Sequence, residues 1–276
     1  MKNLKMYFFA LLIFAFTSCT KEDAIVVDNV DSEMVSVNVT SDFTSELDFN
    51  AGIDIANNNS SYSNRTSNEV SVLPTCATIT VNNTTPGVFP KIFTVDFGTG
   101  CTQNGLTRSG ILTITLSGYV LSNGSTMTIE RNNYYVNLRK IEGTIVYTNE
   151  TTNLSIPQWT RTISNGQITL PNGAVFTHSG TRTVRQTAGV STAMLGDNIY
   201  EVISGTHTVN RPNGSTLTST VVQPLIKKYA CNYISQGQLN LQGTVLNGIL
   251  DFGNNECDNL ATYTHAPTGQ VYNVNL

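Results

Sequence analysis

Ile111-Leu112-Thr113-Ile114-Thr115-Leu116 and Gly143-Thr144-Ile145-Val146-Tyr147-Thr148 alternate apolar and polar side chains along most of their length. A strand points successive side chains to opposite faces, so a period of two buries one face and wets the other. The same period recurs in Ala77-Thr78-Ile79-Thr80-Val81, Met127-Thr128-Ile129-Glu130, Gln167-Ile168-Thr169-Leu170 and Gln270-Val271-Tyr272-Asn273-Val274. Antiparallel sheets are the ones that can leave a face in water. Asn-Gly pairs stand at Asn104-Gly105, Asn123-Gly124, Asn165-Gly166, Asn172-Gly173, Asn213-Gly214 and Asn247-Gly248. Such a pair suits a type I′ hairpin turn, whose two central residues need positive φ. Pro157 and Pro224 fall in strand-like stretches and predict edges or bulges. Beyond residue 71 no segment carries a long helical period. The pattern predicts an all-β domain over residues 72–276, an antiparallel meander of hairpins forming a twisted sandwich or an incomplete barrel.

The two ends of this region read alike. One module, residues 76–118, opens at Cys76 and reaches Asp96-Phe97-Gly98-Thr99-Gly100-Cys101. The other, residues 231–276, opens at Cys231 and reaches Asp251-Phe252-Gly253-Asn254-Asn255-Glu256-Cys257. If each module is a hairpin, its cysteines share one open end, within the ~4.4–6.8 Å between Cα atoms that a disulfide needs. This favours Cys76–Cys101 and Cys231–Cys257 over a pairing between modules.

Upstream the composition changes. Lys2 and Lys5 precede the uncharged apolar run Met6 to Phe16, which is too short to span a bilayer and fits a signal peptide over residues 1–18. Phe16-Thr17-Ser18-Cys19 resembles a lipobox, which implies a diacylglycerol on the Cys19 sulfur and a membrane partner through that anchor. Thr20-Lys21-Glu22-Asp23 resembles the export signal of surface lipoproteins in the Bacteroidota, implying an outer-membrane protein that faces the cell exterior. From Thr20 to Val70 there are ten acidic and two basic residues, whereas the remainder of the chain is close to neutral. Residues 19–71 therefore read as a lipidated acidic tether. Within it Val35, Val37 and Val39 alternate as in a strand, and Ser41 could cap a short helix bearing Phe43 and Leu47. No basic face suggests nucleic acid.

The doubled Asp-aromatic-Gly before Cys, with Thr107-Arg108-Ser109-Gly110, Asn133-Tyr134-Tyr135-Val136 and Cys257-Asp258-Asn259-Leu260-Ala261-Thr262, resembles a family of Bacteroidota surface lipoproteins of unknown function. The resemblance spans residues 74 to 264. It implies export and a β fold, and it supplies no mechanism.

Candidate chemistry is sparse. Asp251, Asn254, Glu256 and Asp258 offer oxygens for a Ca²⁺ ion. The alternative is that the aspartates of both modules hold tight turns through backbone N–H groups. Asp96 and Asp251 as paired acids would make a hydrolase. His178 and His207 fall in strands and are expected on solvent faces, without metal-ligand spacing. Tyr134, Tyr135, Tyr147, Trp159 and Tyr200 would form either a sugar platform or core. Three functions follow. The first is a surface binding or adhesion module for glycan or protein. The others are an accessory subunit of an outer-membrane complex and a hydrolase.

Overall fold

The computed structural model describes residues 32–60 and 73–276, apart from Ala193 and Val245; Cys19 and the signal peptide lie outside the described residues. One helix, α1 (Ser32–Ser60), precedes β1 (Thr78–Val81), β2 (Lys91–Asp96), β3 (Cys101–Gln103), β4 (Leu106–Leu116), β5 (Thr126–Val136), β6 (Arg139–Asn149) and β7 (Gln158–Thr169). There follow β8 (Val175–Ala188), β9 (Ile199–Asn210), β10 (Thr216–Lys228), β11 (Gln236–Gly243), β12 (Asn247–Asn254), β13 (Leu260–His265) and β14 (Val271–Asn275). All fourteen strands form one antiparallel meander in sequence order, with β3 beside β2 on the same edge of β4. The sheet is not closed, since β1 and β14 end it without pairing to each other. The predicted incomplete barrel describes it well.

Sheet periodicity is carried by threonine on the outer face. The register sets Thr162 against Thr181, Thr181 against Thr206 and Thr206 against Thr220. β-Branched side chains stacked this way suit a pleated surface that is wet on one side. Of the Asn-Gly pairs, only Asn104-Gly105 has both residues at positive φ (51° and 77°). Asn172 and Asn213 instead accept the N–H two residues on, at 3.0 and 2.9 Å, and close their turns as Asx-turns. Pro224 sits at a register break of β10, where a missing N–H leaves no ladder bond unmade. Gly205 has φ +113°, and a Cβ there would lie 2.6 Å from Arg182 Cα on the neighbouring strand. Only glycine lets β8 and β9 approach at that bend.

The interior is filled by α1, and here the tether expected over residues 19–71 is corrected. From Met34 to Ile55 every side chain except Ser36 is buried. Val35, Val37 and Val39 belong to this helix and not to a strand, and Ser41 lies inside it rather than at its start. At ~1.5 Å per residue its 29 residues span ~43 Å. Its β-branched residues are mediocre helix formers, and burial on all sides overrides that preference.

The acids of the helix are the reason it was legible as a tether and the reason it is not one. Arg161 on β7 donates to Asp42 (3.1 Å) and Glu46 (2.7 Å), and Arg182 on β8 donates to Asp42 (3.2 Å). Arg131 on β5 pairs with Asp48 at 2.7 Å, and the Tyr134 hydroxyl donates to the same carboxylate at 3.0 Å. At the helix N-terminus Glu33 accepts from Arg211 (2.9 Å) and Asn172 (3.1 Å). Phe49 packs on Tyr147, Trp159 and Tyr200 with ring centroids 4.6 to 5.5 Å apart.

Removing one member of a buried ion pair strands the other, at a cost of ~3–5 kcal/mol. Asp42→Ala leaves both Arg161 and Arg182 short of an acceptor. Urea denaturation is expected to show a loss of that size, with the midpoint lowered. A loss below about 1 kcal/mol would contradict the role given to Asp42.

Candidate functional site

The two ends of the helix differ. Its N-terminal end sits among short hairpins, touching Arg139, Asn172 and Arg211. Its C-terminal end shares recesses with the connections 82–90, 117–125 and 189–198, and the connection 150–157 is of similar length. A cavity of about 240 Å³ opens there, lined by Ile53, Tyr119, Leu121, Trp159, Leu195 and Tyr200 among others, none of them charged. A smaller recess beside it shares Ala56, Tyr119 and Val120.

The floor is built from core aromatics. Trp159 and Tyr200 are buried, and Trp159 Nε1 donates to the Val120 carbonyl at 3.2 Å. Asn198 donates to the Tyr200 hydroxyl (2.9 Å) and accepts from Gln186 (3.0 Å), whose amide also donates to the Ala188 carbonyl. The polar side chains at the floor thus hold one another. Tyr119 and Leu121 form an apolar rim and are 57% and 46% exposed, and Val88, Leu154, Ile156 and Met194 are further exposed apolar side chains on the same four connections. Loop tips usually present polar groups, so six such side chains on four connections are unusual. Sequence reading missed this rim because the residues are isolated within loops and follow no period.

The sequence-predicted residues fare differently. Cys76–Cys101 and Cys231–Cys257 are disulfides, with Cα atoms 5.7 and 5.4 Å apart. The modules approach each other, since Asn232 donates to the Asn104 carbonyl at 3.4 Å. Asp251, Asn254, Glu256 and Asp258 line one shallow recess. Two of these acids are engaged in turns there. Asp251 accepts from Gly253 N–H (2.8 Å) and Gln238 (2.6 Å), and Asp258 accepts from Leu260 N–H (3.0 Å). Asp96 likewise accepts from Gly98 N–H at 2.7 Å. Among the described residues no three His, Cys, Asp or Glu side chains gather as a metal site would require. Tyr134, Tyr147, Trp159 and Tyr200 are core, and Tyr135 is the exposed member of that set.

His178 and His207 correct an expectation, because both are buried against the helix instead of facing solvent. The inward parity of β8 runs through Phe176, His178, Arg182 and Val184, one residue out of step with the threonines. Ser41 Oγ lies 3.1 Å from His178 Nδ1, and the two imidazoles are 5.1 Å apart. Burial, with Arg131 and Arg161 nearby, pushes His178 down to about 3. Burial, His178 itself, Arg182 and Arg161 push His207 well below its ordinary value. Glu46 moves the other way, raised by burial against the pull of Arg161.

No family model, curated protein or solved structure matches this chain.

The histidines set an acid limit. Their folded pKa values lie below the unfolded value near 6.5, so between about pH 6.5 and 3 the unfolded chain binds more protons. Stability from His178 is present above pH 6.5 and falls as pH drops, by up to about 1.4 kcal/mol per unit. Thermal melts from pH 7.5 to 4.5 are expected to show this slope, and the double variant His178→Gln, His207→Gln to flatten it. Because Glu46 is present in both proteins, the difference isolates the pair. Equal slopes would contradict the assignment.

Proposed function

We propose that this chain is a lipid-anchored binding module of the outer membrane, facing the cell exterior, that holds a neutral, mainly apolar group of a partner protein in the mouth at the helix C-terminal end. The anchor rests on the lipobox-like Phe16-Thr17-Ser18-Cys19 and the signal-like run before it. The observation that carries the binding role is the uncharged cavity with the exposed side chains of Tyr119 and Leu121 in its lining. Apolar pockets with a few placed polar groups are the ordinary form of a binding site.

Size and chemistry narrow the guest. At ~30 Å³ per liquid water the cavity holds about eight waters' volume, enough for one ring or a short aliphatic side chain. The bonded amides of Gln186 and Asn198 favour an apolar guest over a sugar. The helix occupies the space inside the sheet, which leaves ligands the ends and the outer face.

Trp159 is the only tryptophan in the chain and lines the cavity, so its emission reports occupancy. Tryptophan-free peptides bearing exposed Leu or Phe are expected to shift that emission saturably, and Ser-substituted controls to leave it unchanged. The double variant Tyr119→Ser, Leu121→Ser should weaken binding at least about tenfold, ~1.4 kcal/mol. A response to neutral oligosaccharides alone, or to nothing in either panel, would overturn the apolar assignment.

A further inference from the structure

Beneath the first half of the helix, where β8, β9 and β10 face it, several buried hydrogen-bonding groups have no partner in the protein; they include the acceptor Glu46 Oε2 and a set of N–H donors. Arg182 Nη2 reaches Asp42 (3.2 Å) and Ser219 Oγ (2.9 Å), while its Nε and Nη1 have no partner. Ser219 Oγ also donates to the His207 carbonyl at 3.3 Å. Both ring nitrogens of His207 are unpartnered, and in either neutral tautomer one of them carries a proton to donate. His178 is held by Ser41 through Nδ1, and its Nε2 is unpartnered. Asn38 stands one helical turn before Asp42, fully buried, with neither amide atom bonded. Arg182 and His207 are each 1% exposed. Buried groups of this kind are rarely left unpaired, and several together call for a guest that accepts from all of them.

The surrounding charge says which sort of guest. The groups acting on the two imidazoles are the guanidinium cations Arg131, Arg161 and Arg182. Asp42 is already shared between Arg161 and Arg182. Those guanidinium cations oppose a metal cation at the histidines, although neutral imidazoles would otherwise suit one. Unpartnered N–H groups beside guanidinium cations suit a compact anion, since charge-assisted bonds to an ion are the strong ones.

We propose that this buried cluster between α1 and strands β8 to β10 binds one small inorganic anion, chloride under physiological conditions, held by Arg182 Nε and Nη1, a ring N–H of His207 and the Asn38 amide. The anion ties the helix to the sheet and is taken up as the helix docks, because every group holding it is buried in the folded chain. It acts in addition to the apolar mouth and does not depend on it.

Bromide tests the proposal directly. Crystals of the full chain grown in sodium bromide should show an anomalous difference peak in contact with Arg182 and His207. Thermal unfolding in sodium chloride or bromide should lie above that in sodium gluconate at equal ionic strength, because a ligand that binds only the folded state stabilises it by mass action. Arg182→Gln should abolish that halide increment; should this variant not fold, the anomalous map of the unaltered chain still decides. An ordered water at the cluster with no bromide peak, or bromide peaks confined to the surface, would overturn the proposal.

Discussion

A buried acidic helix inside a sheet whose inner face carries arginine is the constraint on which this structure depends. Asp42, Glu46 and Asp48 are each almost fully buried, and each has a guanidinium partner on β5, β7 or β8. None of these charges is tolerable alone in a protein interior. Helix and sheet therefore need each other: the helix gives the arginines their counterions, and the sheet gives the carboxylates theirs. Buried ion pairs are weak sources of net stability compared with apolar packing, and Phe43, Leu47, Phe49 and Ile53 supply that packing here. What the pairs contribute is register. A shift of the helix by one residue would rotate Asp42 away from Arg161 and Arg182 together, by roughly 100° at 3.6 residues per turn.

Filling the sheet with its own helix moves binding chemistry elsewhere. An open, curled sheet of fourteen strands could have held a ligand along its inner face, but α1 lies there. Among the described residues, the helix C-terminal end holds a recess of about 240 Å³ with exposed apolar side chains in its lining. The disulfides fit the same logic. Cys76–Cys101 fastens the stretch before β1 to β3, and Cys231–Cys257 fastens the β10–β11 connection to the one after β12. Both closed loops are long enough for a cross-link to reduce the freedom of the unfolded chain substantially.

Much of the sheet was legible in the sequence and the helix was not. Period-two runs in β4, β6 and β14 announce strands because their outward faces are polar and wet. The doubled Cys modules announce local cross-links because matching spacings imply matching hairpins. Residues 34–55 failed the same tests for a physical reason. A helix buried on every side has no wet face, so no stripe marks it, and its acids resemble those of a solvated linker. The clue was in the charge: an acidic segment of about −8 beside a body with inward bases at Arg131, Arg161 and Arg182. Strand parity puts Arg161 in step with Ile163 and Arg182 in step with Val184, which is toward the core. His178 and His207 were misassigned for want of that same parity. The apolar rim had no periodic signal, since single residues in loops obey none.

Hydrogen exchange measured by mass spectrometry on the full chain tests the central claim most directly. If α1 is core, amides from Met34 to Ile55 exchange only with global unfolding, as slowly as those of β7 to β9. Should that segment exchange within seconds while the strands stay protected, the helix is a tether after all, and the paired charges do not hold the fold together.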